Sequence, residues 1–215
     1  VIYDILSEIF GRGQLLNYLT IGGFFDEQKW VCDKWHNKWK DFWWCSKFCS
    51  EVVNLGLKNI IVFINSTGGS VNNGLAIYDL FKSLPCNITT VALGNCFSIA
   101  TVIFSLGEKR FIGKNTKFLI HSCSYRAVEN SEANAYELKN IINSMEDDNS
   151  TIINCYLSAK NFIMPKKHLE EIFASGKDVR YTLKELLIYG FATAPLEDLK
   201  EVFNVKNWYI QLITF

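Results

Sequence analysis

The chain has 215 residues, enough to bury the core of one domain and short for two. It is 49% hydrophobic and 20% charged with only three prolines, which excludes a disordered tail or a linker. Lysine and arginine (22) balance aspartate and glutamate (22), so the basic excess of a nucleic-acid binder is missing, and a neutral, apolar-rich chain tends to associate with copies of itself.

In chain order, Val1-Ile2-Tyr3 and Leu15 to Ile21 read as strands around the turn Gly11-Arg12-Gly13, and Gly22-Gly23 closes that section. Asp26 to Leu55 has a helical pattern, with Trp35, Trp39 and Trp43 recurring every fourth residue. Asn59 to Asn65 is a continuous apolar run, as expected of a strand buried on both faces. The turn Ser66-Thr67-Gly68-Gly69-Ser70 follows, then an amphipathic helix over Asn73 to Leu84 that Pro85 stops. Ile88–Leu93 is the next strand and Ser98–Leu106 the next helix. Two short strands, Lys109–Ile112 and Phe118–Ile120, come after it. A long helix spans Ser131 to Leu157, and helices fit Pro165–Ala174 and Thr182–Tyr189. The stretch Asn207–Phe215 is apolar and aromatic, to be tucked onto the domain or held by a partner subunit. This alternation indicates an α/β domain with a mainly parallel sheet. The uncharged run Asn87–Gly107 is long enough for a bilayer, but its polar and glycine residues favour a strand, a turn and a buried helix.

Seven cysteines, an odd number scattered through apolar segments, read as reduced thiols in a cytosol-like compartment. Cys32 and His36 are four apart, as are Cys45 and Cys49. On helices each pair shares a face, a zinc-compatible spacing, although buried thiols in an aromatic-rich helix explain it better and no metal is expected.

Acyl transfer by a serine needs a hydroxyl, a base and donors for the oxyanion. A strand–turn–helix junction supplies the first and last together, because it exposes a side chain beside free backbone N–H groups. Ser98 stands at such a junction, Val91 to Ala100; the turn at Gly68-Gly69 offers a second set of bare N–H groups, and His121 ends the strand Phe118–Ile120. Taken alone, a serine at that point is more often an N-cap and such a histidine more often structural.

The motifs around these residues point further. Ile64-Asn65-Ser66-Thr67-Gly68-Gly69-Ser70-Val71 with Gly74-Leu75-Ala76-Ile77-Tyr78-Asp79 resembles the glycine-turn signature of the Clp protease proteolytic subunit family. Gly94–Ala100 resembles that family's nucleophile junction, Lys109 to His121 its histidine strand, and Lys177-Asp178-Val179-Arg180-Tyr181-Thr182-Leu183 the stretch carrying its aspartate. The likeness is strong from Ile60 to His121 and poor before residue 58.

The resemblance implies a ClpP/crotonase-like fold of repeated β-β-α units with a mainly parallel sheet and a long handle helix. The single domain would comprise a divergent N-terminal part (1–57), a catalytic core (58–124), the handle (125–160) and a C-terminal part (161–215). It implies a catalytic triad of Ser98, His121 and Asp178, with backbone N–H groups of Gly69 and Ile99 as oxyanion hole. Gly68, Ser70, Val71, Ser122 and Cys123 would bind substrate. It further implies unfolded polypeptide as substrate, a homo-oligomer of stacked rings, and an AAA+ unfoldase that consumes ATP. The chain itself would need no cofactor, nucleic acid or membrane, and the location would be the cytoplasm, a plastid or the mitochondrial matrix. A non-catalytic ring or scaffold subunit and a phage-type maturation peptidase are the alternatives within this fold, and an acyl-CoA enzyme of crotonase type lies further off. Thr67 stands where the family has proline, Cys96-Phe97 replace two small residues and are expected to narrow the site, and Ser122–Arg126 replace a proline and glycines.

Overall fold

The computed structural model describes residues 39–125, 133–199 and 209–213. The expected strands before Gly23, the start of the Trp-rich helix with Cys32, Trp35 and His36, and the first residues of the expected long helix at Ser131 lie outside them. Among the described residues seven strands form one sheet, parallel except for a single antiparallel pair, with the helices packed around it.

Helix α1 (Trp39–Asn54) turns Cys45, Phe48, Cys49 and Val52 into the core, the three- and four-residue spacing of one helix face. Strand β1 (Asn59–Ser66) has a neighbour on each side, and Ile60 through Ile64 are buried on both of its faces. Helix α2 (Val71–Lys82) begins two residues earlier than the apolar periodicity suggests, because Ser70 caps it: its Oγ accepts the Asn73 N–H at 3.4 Å. Phe81 of α2 meets Phe48 of α1 with ring centroids 6.0 Å apart.

Strand β2 (Asn87–Phe97) runs four residues past the expected end at Leu93. The cause is a bend at Gly94, whose φ of 66° suits a residue without Cβ, and the Asn65 Oδ1 that accepts the Asn95 N–H at 3.0 Å. The first half of β2 lies between β1 and β3 (Lys109–Ile112); the second half pairs with β4 (Lys117–Ile120). Between them α3 (Ile99–Ser105) is buried along its whole length. It lies so close to α2 that a Cβ on Gly74 would overlap the Ile99 side chain. The apolar run Asn87–Gly107 is therefore strand and short helix, and among the described residues no helix is long and apolar enough to cross a membrane.

Helix α4 (Ala135–Leu157) opens with a capping box between Asn134 and Glu137. Its two halves differ. Ile152, Ile153 and Tyr156 are buried, whereas Tyr136 (73% exposed), Leu138 and Ile142 lie open. Helix α5 (Lys166–Ser175) ends at Gly176, in the left-handed conformation. A strand absent from the sequence reading follows, β5 (Val179–Tyr181), antiparallel to β4. Then come α6 (Leu183–Tyr189), β6 (Ala194–Pro195) and β7 (Tyr209–Ile213). The apolar C-terminal stretch is thus tucked onto the domain, because β7 pairs in parallel with β1.

Arg110 of β3 is fully buried, yet among the described residues it pairs with carbonyl oxygens and with no carboxylate. Its Nε donates to Phe191 O (2.8 Å), Nη1 to Gly107 O (2.6 Å), and Nη2 to Lys160 O (2.5 Å) and Gly190 O (2.8 Å). Burial lowers its pKa to about 10, so the charge persists at neutral pH. Removing the guanidinium would strand three buried carbonyl acceptors and a part-buried one. Arg110→Met is expected to cost about 3–5 kcal/mol, read as a lower urea midpoint. Arg110→Lys should recover little of it, since one ammonium does not span four divergent acceptors.

Candidate active site

A cleft of about 320 Å³ opens where the C-terminal ends of β1, β2 and β4 meet. Thr67, Gly68, Gly69 and Val71 border it after β1; Ser98 and Ile99 after β2; His121, Ser122, Cys123 and Ser124 after β4; and Ile152 and Tyr156 of α4. Ligand crevices of parallel α/β sheets form at this end of the strands.

Ser98 occupies the N-cap position of α3 but makes no side-chain cap hydrogen bond. Its backbone (φ 55°, ψ −131°) lies where L-residues are strained, at a cost of roughly 1–3 kcal/mol. The ordinary N-cap explanation for a serine here therefore fails. The conformation is held by the Ser98 N–H donating to Leu119 O at 2.9 Å and by Ser98 O accepting the Thr101 N–H at 2.9 Å. Gly68 lies against this junction: a Cβ there would come within 2.7 Å of Ser98 Cβ and 2.8 Å of Phe97 O, and its φ of 88° also calls for glycine. Its N–H donates to Ser66 Oγ at 3.0 Å. The Gly69 N–H has no backbone acceptor among the described residues, and Ile99, first in its helix, has no intrahelical acceptor to reach.

His121 directly follows β4, and Asp178 directly precedes β5. The antiparallel pairing of Ile120 with Val179 sets them opposite each other. His121 Nδ1 and Asp178 Oδ1 are 3.9 Å apart, ion-pair range and longer than a hydrogen bond. The histidine side chain is 27% exposed and the aspartate 66%. Ser122 and Cys123 continue along the cleft, where the Cys123 N–H donates to Asn149 Oδ1 of α4 at 2.7 Å. Ser70 caps α2 instead of bordering the cleft.

Cys96 and Phe97, expected to narrow the site, are not among the residues that line the cleft. Cys96 is buried in the core, and Phe97 lies beneath the Arg180 guanidinium, 5.9 Å from its ring centroid. Sequence reasoning missed Ile152 and Tyr156 as cleft residues; their four-residue spacing marked a helix face without showing what that face meets. Among the described residues no cluster of His, Cys, Asp or Glu could hold a metal, and Cys45 and Cys49 are buried in the core.

A family model described as Clp protease matches residues 46–193. The chain belongs to the Clp protease family. It is 28% identical over 153 residues to the ATP-dependent Clp protease proteolytic subunit 1 of Mycobacterium leprae, covering 68% of this chain and 72% of that one. It is also 28% identical to the chloroplastic proteolytic subunit 4 of Arabidopsis thaliana, over 67% of this chain and 50% of the plant protein, so it spans half the length of that relative. A solved point mutant of ClpP1 from Listeria monocytogenes superposes with a TM-score of 0.55 at 25% identity, covering 71% of this chain and 81% of that one.

Cys123 brings a thiol to the same cleft. Burial first, and the Asp148 carboxylate next, push its thiol up to about 11. At pH 8 only about one molecule in a thousand then carries the thiolate. Iodoacetamide should label Cys123 about a hundredfold more slowly than a free cysteine, with the rate rising about tenfold per pH unit, as followed by peptide mapping.

Proposed function

We propose that this chain is a serine endopeptidase subunit of a self-compartmentalising Clp-type protease, with Ser98 as nucleophile, His121 as general base and Asp178 as the residue that orients the base. The observation that carries this reading is the strained, uncapped Ser98 at a strand–helix junction in the same cleft as His121. His121 takes the Oγ proton as Oγ attacks the scissile carbonyl carbon, and the N–H groups of Gly69 and Ile99 stabilise the oxyanion. Collapse of the tetrahedral adduct breaks the C–N bond, the amine leaves with the proton from His121, and the acyl group stays on Ser98. Water, deprotonated by His121, then releases the carboxylic acid and restores the hydroxyl. Asp178 stabilises the imidazolium and fixes its tautomer, the 3.9 Å contact shortening as charge develops.

Gly68 and Val71 bind the extended substrate on one side and Ser122 and Cys123 on the other, while Ser70, engaged as the cap of α2, takes no part. In this reading the whole chain, 1–215, is one ClpP-like domain: a divergent 1–57, the core 58–124, the handle 125–160 and the C-terminal part 161–215. The bend in β2, and β3–β4 ahead of α4, fit the repeated β-β-α units of a ClpP/crotonase-like core. The uncovered apolar residues Tyr136, Leu138 and Ile142 suit a handle that interlocks stacked rings. Unfolded polypeptide would enter from an AAA+ unfoldase that uses ATP, in the cytoplasm or in a plastid or mitochondrial matrix.

Intact mass after fluorophosphonate treatment tests the reading. One adduct on the parent chain is expected, absent from Ser98→Ala and His121→Ala. Asp178→Asn should keep the adduct but form it at least tenfold more slowly. An unmodified, folded parent would reject the peptidase assignment in favour of a non-catalytic ring subunit.

A further inference from the structure

Ser98 O is more heavily engaged than the start of a helix requires. Besides the Thr101 N–H, it accepts the Thr101 hydroxyl at 2.5 Å. Thr101 Oγ1 is itself 2.6 Å from the Tyr156 hydroxyl. A threonine hydroxyl has one proton, and here it goes to Ser98 O, so Tyr156 is the donor in the second bond. Both side chains are almost wholly buried, Thr101 in α3 and Tyr156 in α4. A chain of two hydrogen bonds therefore runs from α4 to the backbone of Ser98.

Ser98 C=O and Ile99 N–H belong to one planar peptide unit. Fixing the oxygen on the core side fixes the direction of the N–H on the cleft side. Two donors on the oxygen also polarise the unit and make its N–H a better donor. We infer that Thr101 and Tyr156 are positioning residues: through Ser98 O they hold the strained junction and aim the Ile99 N–H at the oxyanion that forms on attack by Ser98. This rests on the assignment of Ser98 as nucleophile. The role belongs to the transition state, since a ground-state carbonyl gains less from that N–H than an oxyanion does, so the loss should fall on kcat and not on KM.

The test compares full-length Thr101→Val, Thr101→Ser and Tyr156→Phe with the parent. Three quantities are read: the rate of Ser98 phosphonylation by a fluorophosphonate, kcat and KM for a short peptidyl-aminocoumarin, and the thermal midpoint. Thr101→Val keeps volume and loses the hydroxyl. It is expected to lower both phosphonylation and kcat by about tenfold or more at unchanged KM. Thr101→Ser should restore them, and Tyr156→Phe should give a smaller loss that disappears in the Thr101→Val background, because the tyrosine acts only through the threonine. Parental rates in Thr101→Val, or a serine variant as slow as the valine one, would overturn the role while leaving Ser98 as nucleophile. A folded parent with no adduct on Ser98 would overturn both.

Discussion

The arrangement of the C-terminal half depends on one buried cation. Arg110 reaches carbonyl oxygens at the turn after α3, beyond the end of α4 and at the C-terminal boundary of α6, joining three segments far apart in sequence. A guanidinium suits this role because its donors diverge in one plane, and because partial charges from several carbonyls replace its hydration without a carboxylate. The same residue's backbone is tied to Thr193, whose Oγ1 accepts the Arg110 N–H at 2.8 Å, so strand β3 and the β6 region are locked as well. Asp178 lies between α5 and β5, inside the loop of chain that these contacts close, and its placement beside His121 follows from that closure together with the β4–β5 pairing.

Around the cleft the constraint is of another kind, close approach of backbone to backbone. Gly68 leaves no room for a side chain against Ser98, and Gly74 leaves none against Ile99. The junction at Ser98 is thus pressed between the turn after β1 and helix α2. This compression lets a non-glycine residue persist at a positive φ, since the surroundings fix the junction more tightly than local preference can relax it.

Much of this was legible in the sequence because the signals were local. The run Asn59–Asn65, the helix ahead of Pro85 and the short strands up to His121 declare themselves by continuous or periodic apolarity. The residues singled out as nucleophile and base do come to one cleft, with Asp178 beside the histidine. The continuation of β2 was hidden because Gly94 and Asn95 resemble a strand end; only the reach of Asn65 from β1 shows that pairing continues through the bend. Strand β5 was hidden because three residues holding an arginine and a tyrosine carry no alternation to detect. Arg110 reads in sequence as an ordinary basic residue, its burial being decided by carbonyls distant in the chain.

The parallel pairing of β1 with β7 bears on how the protein is made. Ile60 sits beside Tyr209 and Ile64 beside Ile213, so β1 meets this neighbour only after the intervening strands and helices have left the ribosome. Until then one edge of a strand whose central residues, Ile60 to Ile64, are all apolar stays open to any extended segment that meets it. The nascent chain therefore carries an unpaired template while those elements are synthesised, and a late, long-range closure of this kind is what slows folding and exposes a chain to its neighbours.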